Sequence, residues 1–555
     1  MERINAAKSI QKISRQVGAA RSGAMKDASP HPLRLRRETH EGRVIRCDAG
    51  RPANLAATLR AAVARAGDAE AVVDGERRMT WRELEARVDA LAAALTDMGI
   101  AGGDRVALLL GNRLEVPVIL YACAVVGAIA VPMNLRQSAD ETAWVLGHSG
   151  ARLLFHEAGA RMPATEATPA LAARIAVADD LPLPAAAPRA FAPVDEEAPF
   201  CILYTSGTTG RPKGAVLTHL NVAHSIAHFC HHYDLREGEH CLLAVPASHV
   251  TGLVALIAVS VTLAGRLIIM RDFKAGRFLQ LAAAERMSYT LMVPAMYVLA
   301  LMEPSFDAAT LGAWRVGGFG GAPMPDATIA ELARRLPGLA LHNTYGATET
   351  TSPAVIMPAA ETAARSRQLG RPVACCDFAI MDKDGREVAT GESGEIWMAG
   401  PMVSPGYWND PEATAAAFAG GYWKSGDIGS IDEDGFVTLL DRMKDMINRG
   451  GFKIYSVEVE NILCEHPAVI EAAVVGRPCP VLGERVAAFV TIAATAGADA
   501  GEPVDGATLR AYCAARLSDY KVPETIRIEP APLPRNANGK LLKSALRERL
   551  AATPD

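Results

Sequence analysis

The chain has 555 residues, enough for more than one domain, and half of them are hydrophobic, which excludes a wholly disordered protein. Its 57 Lys and Arg against 62 Asp and Glu leave a formal net charge of -5, so no basic face is implied and no nucleic-acid partner is expected. The ten cysteines show no CxxC pair and no Cys/His metal spacing, and adjacent Cys375 and Cys376 cannot close an ordinary disulfide. Reduced thiols in a cytoplasmic setting are therefore expected.

The first fifty residues are rich in Arg and Lys (Arg34, Arg36, Arg37, Arg43 and Arg46 among them) and lack the apolar core of a secretory signal. An organelle transit peptide shares that composition. A poorly ordered basic extension over 1–50, or an upstream start with Met25 as the real one, is the preferred reading.

From about Leu55, Ala-rich helices alternate with short apolar strands. RVALLLGN (Arg105 to Asn112) reads as a buried strand, and PVILYACAVVGAIAV (Pro117 to Val131) as a buried helix too short to span a membrane. CILYTSG, HCLLAVP, RLIIM and YTLMVP are further strands. The uncharged run from Cys241 to Gly265 is as long as a membrane span, but Pro246, Ser248, His249, Thr251 and Gly252 interrupt it. A strand, a turn and a core helix explain it better, so no membrane span is expected.

This alternation predicts an α/β protein with layered, largely parallel sheets. The Pro- and Ala-rich stretch 181–199 reads as a surface connection. At DRMKDMINRGG (Asp441 to Gly451) charged residues meet a Gly–Gly pair, and a compact pattern of roughly one hundred residues follows. The expected organisation is a large domain over 51–440, a hinge over 441–445, and a small mobile α+β domain over 446–555.

The chemistry concentrates first in CILYTSGTTGRPKG. Gly207, Gly210 and Gly214 let a loop turn tightly against a ligand. Thr205, Ser206, Thr208 and Thr209 supply donors, and Lys213 supplies positive charge, which together suit a polyphosphate. The spacing is not that of a Walker A loop, because Pro212 replaces its second Gly and the final Ser/Thr is missing. A flexible linker would not be entered by a buried strand.

This loop resembles the phosphate-binding signature of the adenylate-forming superfamily, which comprises acyl- and aryl-CoA ligases, carrier-dependent adenylation domains and firefly-type luciferases. Further signatures follow in the same order from about Leu55 to the C-terminus. In NTYGATETTS (Asn343 to Ser352), the resemblance implies that Asn343, Thr344 and Tyr345 hold the adenine, with Tyr345 stacking on it. It makes Thr348 a phosphate contact and Glu349 the Mg²⁺ ligand, and a hard carboxylate oxygen suits that ion. GGFGGAPMP (Gly317 to Pro325) places Gly320, Gly321 and Ala322 at the adenine and acyl sites. WKSGDIG (Trp423 to Gly429) makes Asp427 the acceptor of both ribose hydroxyls.

In DRMKDMINRGGFKIYSVEVE, Arg442 resembles the second ribose contact and Lys444 the hinge residue. Gly450 and Gly451 resemble the loop that packs against the pantetheine arm of CoA. LPRNANGKLLK makes Lys540 the catalytic lysine. His249 and Gly252, in VPASHVTGL, fall in the segment implied to border the acyl pocket. The site expected to carry catalysis is therefore Lys213, Thr348, Glu349 and Lys540.

The implied reaction uses ATP, Mg²⁺ and CoA. A carboxylic acid attacks the α-phosphate of ATP to give acyl-AMP and pyrophosphate, and the CoA thiol then displaces AMP. No general base is needed in the first step, because the acid is already ionised; alignment and charge stabilisation are the tasks. The chain ends shortly after Lys540 with no carrier module, which favours CoA over an adenylating enzyme that loads a free-standing carrier protein. Mostly small and apolar pocket segments favour a medium-chain, fatty or aryl monocarboxylate. A homodimer is left open.

Overall fold

β-Branched runs separated by Ala-rich helices form parallel strands whose crossover helices cover the sheet faces. The computed structural model describes residues 30–178, 180–181, 189–205, 211–492, 504–535 and 541–552. One sheet has six strands in the spatial order Lys213–Thr218, Pro199–Thr205, Ile129–Met133, Arg105–Leu109, Leu153–Glu157, Ala173–Val177, parallel except for the first pair. A nine-stranded sheet has a parallel centre running from Ala340–Tyr345 through Val316–Gly320, Tyr289–Met292, His240–Leu243 and Arg266–Ile269 to Glu70–Asp74. One continuous apolar core joins these layers. The helix Glu115–Val126 is buried on nearly every side within it, which is why its sequence shows no polar stripe.

That helix is shorter than its apolar run suggests. It stops at Gly127, which adopts φ 77° and donates its N–H to the Cys123 carbonyl, and Ile129–Met133 then forms a central strand. The single helix expected over Pro117 to Val131 is thus a helix and a strand, because a left-handed glycine cap ends one period and starts another. The run from Cys241 to Gly265 is a strand, a turn, a π-helix at Thr251–Ala258 and an α-helical turn at Val259–Thr262. Among the described residues no helix is long and apolar enough to cross a membrane.

The basic extension expected over 1–50 is only partly outside the fold. Residues 1–29 lie outside the described residues, but Leu35–His40 and Arg43–Asp48 pair as an antiparallel hairpin. Its attachment is polar: Arg51 NH2 bridges Glu38 at 2.6 Å and Glu196 at 2.8 Å, and the Asp48 N–H donates to His224 Nε2 at 3.1 Å. Charged side chains hid this hairpin, since its contacts are ion pairs rather than an alternating apolar face.

A third, antiparallel sheet contains Asp377–Met381, Gly394–Ala399, Tyr422–Ile431 and Val437–Arg442. The chain then enters a smaller sheet of Ile447–Arg449, Phe452–Ile454, Val469–Cys479, Gly483–Ile492 and Thr525–Ile528. Alternate residues of one strand serve opposite faces. Val474 packs with the helices Ser456–Cys464 and Gly506–Ala514, while Ala473 and Val475 pack with Lys543–Ala551.

Candidate active site

The glycine- and hydroxyl-rich loop connects two paired strands. Lys213 lies opposite Thr205 in an antiparallel register, so both residues sit at the mouth of a hairpin. The intervening Ser206, Gly207, Thr208, Thr209 and Gly210 lie outside the described residues, as does Lys540. Lys213 opens a strand rather than closing a loop, and the sequence reading did not include that second strand. The strand continues into the helix His219–His232 through a capping box between Thr218 and Asn221. Asn221 Nδ2 also donates to the Pro401 and Val403 carbonyls, anchoring the segment that follows.

That segment supplies a residue the sequence reading missed. Tyr407 forms a β-bridge with Ala215, and the Val216 N–H donates to the Gly406 carbonyl at 3.0 Å. Tyr407 is thereby fixed beside the hairpin that carries Thr205 and Lys213. Its hydroxyl donates to Glu349 Oε1 at 2.9 Å, and Lys213 Nζ stands 5.3 Å from the centre of its ring. Burial pushes the Tyr407 hydroxyl above its ordinary pKa, with the Glu349 carboxylate acting in the same direction, so it remains a donor. The only local signal was an aromatic residue in a Pro/Gly-rich turn, SPGYWND.

Glu349 and Thr348 lie on a single 3-10 turn, Thr348–Thr350, after the strand Ala340–Tyr345. Both are buried. The Ser404 N–H donates to the Glu349 carbonyl at 2.8 Å, tying this turn to the Tyr407 segment. One Glu349 oxygen accepts a single hydroxyl hydrogen bond, which leaves carboxylate lone pairs for a hard cation.

The second group forms across the antiparallel sheet. Asp427 pairs with Arg442 in register, and Arg442 Nε lies 3.1 Å from Asp427 Oδ1. Tyr345 donates its hydroxyl to Asp427 Oδ2 at 2.6 Å. Asp427 is buried, whereas half of the Arg442 side chain is exposed. Oδ1 is buried without a hydrogen bond, so its charge is balanced by the guanidinium but its lone pairs remain available. Burial and the Asp427 charge push the Tyr345 hydroxyl well above its ordinary pKa.

Strand register puts Gly320 opposite Thr344, and Phe319 opposite Asn343. A Cβ on Gly320 would meet the Thr344 carbonyl oxygen at 2.4 Å, and one on Gly252 would meet the Pro246 carbonyl at 2.3 Å. These glycines are required by close backbone approach, a constraint independent of the acyl-site role that the resemblance implies for them. Gly321 adopts φ 77° and, with Ala322, is exposed beyond the strand end. His249 is half-buried and its Nδ1 lies 3.2 Å from Thr251 Oγ1. The π-helix that follows carries a buried apolar run from Leu253 to Ala258.

Beyond Arg442, the Asp441 carboxylate accepts from the Arg442 N–H at 2.7 Å and from Ser456 Oγ at 2.9 Å. The Lys444 carbonyl accepts from Arg547 at 3.2 Å. Gly450 and Gly451 have φ 60° and 91° and form an exposed turn between Ile447–Arg449 and Phe452–Ile454.

These features occur in known proteins. Residues 59–408 match the family model described as AMP-binding enzyme, and residues 458–540 match the AMP-binding enzyme C-terminal domain. A feruloyl-CoA synthase of Amycolatopsis sp is 36% identical over 87% of this chain and 96% of its own length. A long-chain-fatty-acid–CoA ligase of Mycobacterium tuberculosis is 35% identical over 86% of this chain and 94% of its own. The o-succinylbenzoate coenzyme A synthetase of Bacillus subtilis, solved in complex with ATP and magnesium ion, superposes with a TM-score of 0.78 at 29% identity, covering 89% of this chain and 99% of that one. A large α/β domain followed by a small one, with the matched motifs in sequence order, makes this chain a member of the AMP-binding enzymes, the adenylate-forming family of acyl-CoA synthetases and ligases.

Proposed function

We propose that the chain joins a fatty or aryl monocarboxylic acid to CoA in two half-reactions on one site, in the cytoplasm, where its ten free cysteines suit a reducing compartment. The observation that carries this reading is the convergence of Lys213, Tyr407 and Glu349 on one side and Tyr345, Asp427 and Arg442 on the other. The first group suits a polyphosphate and the second a nucleoside.

In the first half-reaction, a carboxylate oxygen bonds to the α-phosphorus of ATP and the bond to the β-phosphate oxygen breaks, releasing pyrophosphate. Lys213 and the hydroxyls around Thr205 hold the phosphates, and Thr348 adds a donor. Asp427 accepts the ribose hydroxyls, Arg442 faces the same sugar, and the Tyr345 ring flanks the base between Asn343, Thr344 and Gly321-Ala322. Glu349 would hold Mg²⁺, which supplies neutralising charge beside the phosphates. Lys540 stabilises the charge shared between the acid and the α-phosphate. His249, Gly252 and Gly320 border the acyl group. In the second half-reaction, the CoA sulfur bonds to the acyl carbon, the thiol proton is lost and AMP leaves. Rotation about the hinge at Lys444 exchanges Lys540 for Gly450 and Gly451.

A screen of pyrophosphate release over short, medium, long-chain and aryl acids, with and without CoA, tests this. Steady acid-dependent release that requires CoA is expected. Release that stalls after one turnover despite CoA would refute CoA as the acceptor. Lys540→Ala should abolish acyl-AMP formation and spare thioester formation from supplied acyl-AMP, whereas Gly451→Leu should do the reverse.

A further inference from the structure

Asp441 lies where the two domains meet and is 1% exposed. Its backbone belongs to the large domain, opposite Ile428 in the antiparallel ladder. Its carboxylate is engaged by the small one: the Ser456 N–H and the Ser456 hydroxyl both donate to it, the hydroxyl at 2.9 Å. Ser456 opens the helix Ser456–Cys464, whose N-cap residue, Tyr455, makes no side-chain cap. Asp441 therefore caps that helix from outside, where unpaired N–H groups and the helix dipole favour a carboxylate. Lys543 completes the network. Its ammonium donates to the Ser456 hydroxyl at 2.7 Å and lies 2.6 Å from Glu460, which also accepts from the Val474 N–H at 2.7 Å. Burial pushes both carboxyls above their ordinary pKa, and the Lys543 charge opposes that push.

The network spans the hinge. Asp441 stands before Lys444 in the chain, and Ser456, Glu460 and Lys543 stand after it, so rotation about Lys444 separates them. One turn along the last helix, Arg547 reaches the Lys444 carbonyl at 3.2 Å and Asp445 at 2.6 Å. Residues four apart share a helix face, so the Lys543–Arg547 face lines the passage between the domains. In this arrangement the Gly450–Gly451 turn is exposed, and a Cβ on Gly451 would meet nothing within 4 Å. It is therefore not the arrangement assigned above to the CoA half-reaction. We infer that Asp441, Ser456 and Lys543 form a polar latch that positions the small domain for acyl-AMP formation and opens before the thioester forms. This rests on the reading of the chain as a ligase with two half-reactions. A buried ion pair returns little net stability, because desolvation offsets attraction, yet it holds only in one geometry. Such a latch selects an arrangement without making it irreversible.

The test measures the half-reactions separately in the full-length protein: acid-dependent exchange of pyrophosphate into ATP, and thioester formation from supplied acyl-AMP and CoA. Asp441→Asn keeps the shape but can turn an amide towards the Ser456 donors. Lys543→Met combined with Glu460→Gln removes opposite charges together, so neither is left buried alone. Each variant should slow exchange roughly tenfold, the effect of about one lost charge-assisted hydrogen bond on the balance between arrangements. The KM for ATP should stay within twofold, and thioester formation should be unchanged or faster. Lys543→Arg should keep more of the exchange rate than the paired variant. Equal slowing of both half-reactions, or full exchange by the paired variant, would overturn the inference while leaving the ligase reading intact. A loss confined to the KM for ATP would also overturn it, placing Asp441 with Arg442 at the nucleotide instead. If the unsubstituted protein shows no exchange with any acid of the screen, the ligase reading falls, and this inference with it.

Discussion

Tyr407 donates its hydroxyl to Glu349 across 2.9 Å while its ring faces the Lys213 ammonium. One aromatic side chain therefore contacts both the carboxylate proposed to hold the cation and the amine proposed to hold phosphate. Tyr407→Phe keeps the ring and removes the hydrogen bond to the carboxylate. Such a bond to a charged group is worth about 1.5–3 kcal/mol, so kcat/KM for ATP should fall by roughly tenfold or more, with a raised requirement for Mg²⁺. An unchanged magnesium titration would show that Tyr407 does not position Glu349.

Asp427 is held between Tyr345 and Arg442. Asp427→Asn preserves shape but replaces one acceptor oxygen with a donor amide aimed at the guanidinium or the phenol. The KM for ATP should rise by roughly one to two orders of magnitude through loss of charged hydrogen bonds. ATP analogues without ribose hydroxyls should discriminate less between variant and parent. Equal losses with both nucleotides would contradict a ribose role.

Acid should destabilise the large domain through its buried imidazoles. Burial lowers His219, His224 and His342 to about 4 and His232 to about 3, from an ordinary 6.5. These bases are neutral in the fold and protonate when unfolded, so the unfolded chain binds more protons below pH 6.5. Stability should be intact above that value and fall progressively down to about pH 4, by up to about 1.4 kcal/mol per pH unit for each group. Urea midpoints measured between pH 7.5 and 5 should show this slope, and a flat profile would rule it out.

The backbone contacts at Gly252 and Gly320 predict a stability cost separable from any acyl-site effect. Gly252→Ala places a methyl group at 2.3 Å from the Pro246 carbonyl oxygen, so the chain must shift. A loss of about 1–3 kcal/mol is expected, read as a lower urea midpoint whatever acid is present. Unaltered stability with changed acid preference would reverse this interpretation.

How much could be read in advance depends on where each constraint resides. Lys213, Glu349, Asp427 and Arg442 were singled out because each sits in a short motif whose residue types match a chemical task, and the structure sets Asp427 against Arg442 and Glu349 within reach of Tyr407. Tyr407 was not, because its role is created by a β-bridge to Ala215 from almost two hundred residues away. The hairpin at Leu35–Asp48 was hidden for a related reason: Arg51, Glu38 and Glu196 secure it by charge, and no local apolar period announces it. The Pro117–Val131 run misled because one left-handed glycine divides two elements of equal hydrophobicity. Gly320 was singled out for its motif, whereas its neighbour Thr344 explains the missing side chain through strand spacing.

Asp427 and Arg442 lie opposite one another near the last rung of an antiparallel ladder, and the small domain begins a few residues past that rung. The segments that carry the candidate site are cross-braced: Tyr407 to Ala215, Ser404 to Glu349, Tyr345 to Asp427. Changing their separations means breaking a β-bridge and two further hydrogen bonds. Beyond Met443 the chain passes into the small domain through one short stretch of backbone, where Arg547 donates to the Lys444 carbonyl. The pair proposed to hold the ribose thus stands at the edge of the large domain nearest the chain's passage into the small one.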